Sequence, residues 1–334
     1  MYRSVGLRAL FVEITHSPKL KPFYDITAEE FESRALELFR YQAEKCAPYA
    51  EWIRLMGVAP ESVERVEQIP FVPVELFKTQ KFYSGEGEPA KVFTSSNTGG
   101  TVPSSHYMAS LENYEQAFVR GFEKFYGSVE GWSFYGLLPS YLERDGSSLI
   151  YMVDGLIKRG RGGGFYLYDH EKLLADMAAD SGPKVLIGVT YALLDLAERA
   201  PKLGDCVVME TGGMKGKRKE LSKSELHKVL TESFGVERIH SEYGMAELTS
   251  QAYSTGEGVF RTPDWMRVLV RDAANPTDVK ATGRGGINII DLASRDSVAF
   301  IATGDVGTVA EDGSFVIEGR IAHSDIRGCN LLVQ

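Results

Sequence analysis

Three consecutive pieces decide the fold: Lys184-Val185-Leu186-Ile187-Gly188-Val189-Thr190, then Tyr191-Ala192-Leu193-Leu194-Asp195-Leu196-Ala197, then Asp205-Cys206-Val207-Val208-Met209-Glu210-Thr211-Gly212-Gly213. The first and last are apolar runs of strand length, and the middle piece carries a helical pattern. Strand, helix, strand at this spacing describes a unit of parallel sheet. The same alternation fills residues 91–250. Further strands are expected at 132–139, 164–168 and 237–241, and helices at 111–126, 147–158, 171–180, 191–199 and 222–234. Ser222 and Glu225 stand at capping-box spacing at the start of the last helix. The fold class is therefore α/β with a mostly parallel sheet, whose ligands sit at the carboxyl ends of strands.

Outward from this core the pattern changes on both sides. Residues 1–90 read as a helical segment packed on the core, with Thr27 and Glu30 in a capping box for a helix over 27–46 and a second helix over 49–56. Pro70 and Pro73 make 69–78 an irregular connector. Residues 251–334 read as a β-rich subdomain, with short strands at 265–272, 286–292, 297–303 and 307–317 separated by Asp-Gly and Gly-Gly turns. The three parts form one continuous domain.

Composition narrows the function. The 334 residues carry 37 Lys and Arg against 46 Asp and Glu, a net charge of −9, which argues against a nucleic-acid binder. Cys46, Cys206 and Cys329 are too few and too scattered for a disulfide framework or zinc site, and an odd count suits a reducing compartment. No secretory signal and no apolar run long enough to span a membrane is present, so the chain is expected in the cytoplasm.

The segment with most chemical content is Phe93-Thr94-Ser95-Ser96-Asn97-Thr98-Gly99-Gly100-Thr101. Hydroxyls and bare backbone N–H groups can wrap phosphate oxygens, although the Gly-Lys-Ser/Thr ending of a Walker loop is lacking. Three more glycine-punctuated strand ends follow: Met209-Glu210-Thr211-Gly212-Gly213, Ser241-Glu242-Tyr243-Gly244-Met245-Ala246-Glu247 and Thr303-Gly304-Asp305-Val306-Gly307. Gly319-Arg320 comes after the last strand. Taken singly, Tyr243 also reads as a core aromatic, Asp305 as a turn residue and Glu247 as an acid at a helix start.

In this order the motifs resemble the adenylate-forming superfamily of acyl-CoA synthetases and adenylation domains. Glu75-Leu76-Phe77-Lys78, Ser105-His106 and Asp325-Ile326-Arg327-Gly328-Cys329-Asn330 resemble more closely the acyl-protein synthetase subunit of bacterial bioluminescence fatty-acid reductase complexes. The resemblance implies an adenylate-forming N-terminal core with ATP and Mg²⁺ as cofactors. Thr94, Ser95, Ser96, Thr98, Gly99, Gly100 and Thr101 would hold the phosphates. Gly212 and Gly213 would lie flat under the adenine, with Tyr243, Gly244 and Met245 beside it. Asp305 would take the ribose, with Arg320 as a second ribose or phosphate contact, and Glu247 would hold the Mg²⁺. His106 is placed either at the phosphates or substrate carboxylate or as a packing histidine. Cys329 would accept the acyl group as a thioester; Cys46 and Cys206 read as core.

Two departures from the superfamily pattern stand out. The phosphate loop lacks its usual basic residue, for which Lys215, Lys217, Arg218 and Lys219 are candidates alongside a reading as a solvated turn. The small mobile C-terminal domain, with its lysine, has no room after Arg320. The expected activity is ATP-dependent activation of a carboxylic acid, a fatty acid by resemblance, with transfer through Cys329 to an acyl reductase or other acceptor protein. A ligase using an external thiol and a degenerate nucleotide- or acyl-binding subunit are the alternatives.

Overall fold

Phe31, Ala35, Leu38 and Phe39 recur on one face of helix α1 (Phe31–Lys45), and all four are buried. The expected capping box does not close. Glu30 accepts the Thr27 N–H (3.1 Å), but the Thr27 side chain turns to Glu29, so 27–30 form a turn closed by the Glu30 N–H on the Thr27 carbonyl (3.2 Å) and the helix begins at Phe31. Helix α2 (Ala47–Leu55) follows with Pro48 in its first turn, where a missing N–H costs nothing. These statements come from a computed structural model that describes residues 21–95, 102–138, 146–212 and 221–321.

The connector after α2 is more ordered than its prolines suggest. Strand β1 (Val72–Pro73) pairs in parallel with Ile301 and Ala302, an edge position that tolerates a proline. A 3-10 helix, Val74–Lys78, comes directly after it. Strands β2 (Lys91–Thr94) and β3 (Ser105–Met108) then form an antiparallel hairpin, with Thr94 opposite Ser105. The Ser/Thr/Gly segment thus links β2 to β3, and β3 was not foreseen because Ser-His-Tyr-Met has no apolar alternation.

Helix α3 (Leu111–Tyr126) opens the α/β part and is capped by Ser110, whose hydroxyl accepts the Glu112 N–H. Then come β4 (Ser133–Leu137), α4 (Ser148–Arg159), β5 (Gly162–Phe165), α5 (His170–Ala179), β6 (Lys184–Val189), α6 (Thr190–Ala197), β7 (Cys206–Thr211), α7 (Lys223–Phe234), β8 (Ile239–Tyr243) and β9 (Ala252–Ser254). The sheet order is β5-β4-β6-β7-β8-β9, parallel throughout except for β9. The Ser222–Glu225 capping box forms as expected, and Gly235 closes α7 in the left-handed conformation.

The remaining strands are β10 (Met266–Arg271), β11 (Val279–Lys280), β12 (Gly283–Asp291), β13 (Phe300–Val309) and β14 (Phe315–Arg320). They form an antiparallel sheet in which β1 and β14 share one edge of β13. Here the strand boundaries at 297–303 and 307–317 need correction. β13 runs unbroken through Thr303-Gly304-Asp305-Val306-Gly307, so these residues lie inside a strand instead of at its end. A Cβ on Gly307 would stand 2.1 Å from the Val316 carbonyl oxygen, so this glycine permits close strand approach and marks no turn.

Two apolar clusters organise the chain. One, with Phe134, Leu186, Val208, Leu230 and Ile239, fills the parallel sheet and its helices. The other joins α1 and α2 to the antiparallel sheet, with Tyr49 stacked on Phe300 at 6.1 Å. Gln42 fixes this packing: its amide donates to the Ser294 and Arg295 carbonyls (2.8 and 2.9 Å) and accepts the Ala299 N–H (3.0 Å). A fully buried amide with each group satisfied specifies one docking geometry.

Candidate functional site

The mouth of the Ser/Thr/Gly loop is tied shut from both sides. The Ser95 N–H donates to the Ser104 carbonyl (3.1 Å), and the Ser104 N–H to Ser95 Oγ (2.9 Å). Thr94 is fixed through its N–H to the Gly146 carbonyl (2.8 Å). Ser104 also hydrogen-bonds the carboxylate of Glu247, which is buried to 6% exposure. Burial pushes the Glu247 carboxyl up, while the Ser104 bond and the charges of Arg320 and Lys78 pull it back. Loop mouth and acid therefore meet, as the motif order implied. Ser96, Thr98, Gly99, Gly100, Thr101, Gly213 and Cys329 lie outside the described residues, as do Lys215, Lys217, Arg218 and Lys219.

Tyr243 and Asp305 are brought together from the two sheets. Tyr243 ends β8, and its hydroxyl donates to Asp305 Oδ2 at 2.7 Å. Its ring meets Phe260 and Phe315 edge-on at 5.8 and 5.7 Å. Arg320 sits directly across from Asp305 in the β13–β14 register, with Nε 3.4 Å from Oδ1. Arg320 acts electrostatically on Glu247 too, so the Tyr243–Asp305–Arg320 group adjoins the Glu247 group. Gly244 follows Tyr243, and a Cβ there would lie 2.4 Å from Glu242 Oε1, so a larger residue would have to move the Glu242 side chain. Met245 is half-buried against the antiparallel-sheet cluster. Gly212 has φ +69°, a left-handed conformation that favours glycine, and its carbonyl accepts the Thr190 hydroxyl (3.0 Å).

His106 is 1% exposed, with Nδ1 2.9 Å from the Ala246 carbonyl. A carbonyl only accepts, so Nδ1 carries the hydrogen and Nε2 is left as an acceptor, without a partner among the described residues. Burial lowers its pKa to about 4 against the weaker effect of the Ala246 bond, so the ring is neutral at pH 7. In that tautomer it offers phosphate no donor; it grips the residue next to Glu247.

Several groups that hold this site were not singled out from the sequence. Arg271 donates to the Ile287 carbonyl (2.7 Å), Asn288 Oδ1 (2.8 Å) and the Thr303 carbonyl (2.6 Å), and thereby fixes the strand segment carrying Asp305. The buried Asp291 carboxylate accepts from the N–H groups of Thr249 (2.9 Å) and Ser250 (2.8 Å) and from the Ser250 hydroxyl (2.7 Å), which pins the segment after Glu247. Two more carboxyls occupy the ends of β7 and β8. Glu210 stays below its ordinary value although burial opposes this, because His227 and Lys223 bond and charge it. Glu242, bonded by the Thr211 hydroxyl, is raised to about 7 by burial with a contribution from the Glu210 charge. Long-range pairing assembles all of these, and no local spacing announces them.

No protein-family model matches the chain, and no curated protein matches it. Solved structures do. The open conformation of 2-hydroxyisobutyryl-CoA ligase, in complex with 2-HIB-AMP and CoA, superposes with a TM-score of 0.64 at 16% identity, over 92% of this chain and 75% of that one. The fold is that of an adenylate-forming ligase core. ATP-bound MatB from Rhodopseudomonas palustris gives 0.54 at 17% identity, over 71% of this chain and 49% of that one. The chain thus spans about half the length of MatB. Among the described residues no helix is long and apolar enough to cross a membrane.

Proposed function

We propose that this chain activates a carboxylic acid with ATP as an acyl-adenylate. The observation that carries the reading is the meeting of loop mouth, Glu247, Tyr243, Asp305 and Arg320 at one place in an adenylate-forming fold. An oxygen of the acid bonds to the α-phosphorus, the bond from that phosphorus to the bridging oxygen breaks, and pyrophosphate leaves. Loop N–H groups and hydroxyls take the charge that builds on the phosphate. Asp305 accepts from ribose hydroxyls once Tyr243 and Arg320 yield its oxygens. His106 positions the Ala246-Glu247 peptide.

Mg²⁺ suits this arrangement. The ion is commonly held by one or two carboxylates together with substrate phosphates, and Glu247 supplies one such hard oxygen donor. Among the described residues no group of three His, Cys, Asp or Glu side chains gathers to hold an ion unaided, so the fit is to an ion arriving with ATP. When bound, Mg²⁺ offsets phosphate charge and favours ionised Glu247.

In the second step we assign Cys329 as acceptor, in keeping with the acyl-protein synthetase resemblance. Its thiolate bonds to the acyl carbon and AMP leaves, giving a thioester for a partner such as an acyl reductase. The other thiols are poor rivals: burial raises Cys46 and pushes Cys206 up to about 12, so neither ionises readily. A fatty acid is the substrate this resemblance favours. The reading that an external thiol is the acceptor draws on the CoA in the 2-hydroxyisobutyryl-CoA ligase complex.

The test is intact mass after incubation with ATP, Mg²⁺ and a mixture of carboxylic acids, on the native chain and Cys329→Ala. A hydroxylamine-labile adduct on the native chain alone is the expected result. Pyrophosphate release by both proteins with no adduct would transfer the case to an external thiol. Neither adduct nor pyrophosphate would remove the enzymatic reading and leave a binding subunit.

A further inference from the structure

The phosphate loop lacks a basic residue of its own, and the fold brings one to it from far away in sequence. The 3-10 helix Val74–Lys78 lies between the hairpin and the antiparallel sheet. Its Phe77 ring meets the His106 ring edge-on at 6.3 Å, and Glu75 Oε1 lies 3.8 Å from where a Gly304 Cβ would be. His106 in turn holds the Ala246 carbonyl, one residue before Glu247. In a 3-10 helix residues three apart share a face, so the residue three after Glu75 stands on the side that faces Gly304, next to Asp305. That residue is Lys78. It is exposed, and no ion-pair or hydrogen-bond partner holds it among the described residues.

From this seat we infer that Lys78 is the cation that binds the β- and γ-phosphates of ATP. Its role is to offset the charge that pyrophosphate gains as the phosphorus–oxygen bond breaks, supplying from the N-terminal connector what the loop does not carry. The inference deepens the acid-activation reading and rests on it for the catalytic half only. A lysine ammonium suits the task, being a compact point charge on a stem long enough to reach a phosphate tail. Arg320 is already engaged with Asp305 on the ribose side, so the two cations divide the nucleotide between them.

The experiment compares the native chain with Lys78→Gln and Lys78→Arg. It measures acid-dependent ATP–pyrophosphate exchange and, by calorimetry, the binding of Mg²⁺·ATP and of AMP. Losing one charge-assisted contact is expected to weaken ATP binding about tenfold in Lys78→Gln and to lower exchange about a hundredfold. AMP, which lacks the outer phosphates, is expected to bind within about twofold of native, and Lys78→Arg to recover most of the ATP affinity. Because Lys78 is exposed, folding is not at issue, and unchanged melting curves check this. Equal weakening of ATP and AMP, or ATP binding unchanged in Lys78→Gln, would overturn the assignment. Exchange absent from a native chain that still binds ATP would instead sink the acid-activation reading, while the ATP-to-AMP comparison still decides Lys78. A native chain that binds neither nucleotide overturns both.

Discussion

Glu242 and His106 show how burial dominates the charge states of two groups around the site. Glu242 keeps its proton to about 7 in the folded chain, against an ordinary value of 4.5. Between those values the native state binds the extra proton, so this group's stabilisation is whole at low pH and is lost as pH rises through 7. Glu242→Gln is expected to flatten the fall in stability between about pH 5 and about pH 8, a difference approaching about 3 kcal/mol, read from urea titrations across that range. A slope identical to native would show that the carboxyl ionises freely. At His106 the relevant feature is the Nδ1–H donor to Ala246. Asparagine can offer a similar N–H, so His106→Asn is expected to stay within about threefold of the native exchange rate, whereas His106→Ala loses about tenfold and about 2 kcal/mol of stability. Equal loss in both variants would mean that Nε2 does chemistry.

At the scale of elements, the segment after Glu247 and the β13–β14 pair hold the two acids in place. Asp291→Ala strands the N–H groups of Thr249, Ser250 and Ala293 in the interior, and is expected to cost about 3 kcal/mol or more in chemical denaturation. Gly307→Ala must push β14 away, since its Cβ would meet backbone at 2.1 Å. It is expected to cost about 3 kcal/mol and to weaken nucleotide binding through Arg320; intact affinity would show that β14 does not aim that residue. The same elements mark where local reading failed. Leu111–Tyr126 was legible to the residue because its apolar period, its Ser110 cap and Gly127 agree. Thr303 to Gly307 was misread because glycines that admit a neighbouring strand look, in sequence, like glycines that turn the chain. The β2–β3 hairpin hid for a different reason, its second strand being stabilised by pairing and by buried His106 instead of by alternation.

For the whole molecule, the parallel order of sheet strands followed from the 184–213 stretch, and the Tyr243, Glu247, Asp305 and Arg320 motifs came together as their order suggested. The supporting cast of Arg271, Asp291 and Glu210 stayed hidden, because each acts on residues far along the chain. On the proposed reading, a nucleotide bridging Tyr243 on one sheet and Asp305 on the other would stabilise the entire fold. Saturation with Mg²⁺·ATP at 100 times Kd is expected to add about 2.7 kcal/mol, seen as a rise in melting temperature that Asp305→Ala abolishes. A rise retained in that variant would place the nucleotide elsewhere. β13 carries one more consequence. Phe300, at its start, is clasped by Phe39 and Tyr49 of the N-terminal helices, and Asp305 lies five residues further along the same strand. If the two regions open as one unit, deuterium uptake at the amides of β13 is expected to report undocking of α1 and α2 before any change is seen in the helices of the parallel sheet.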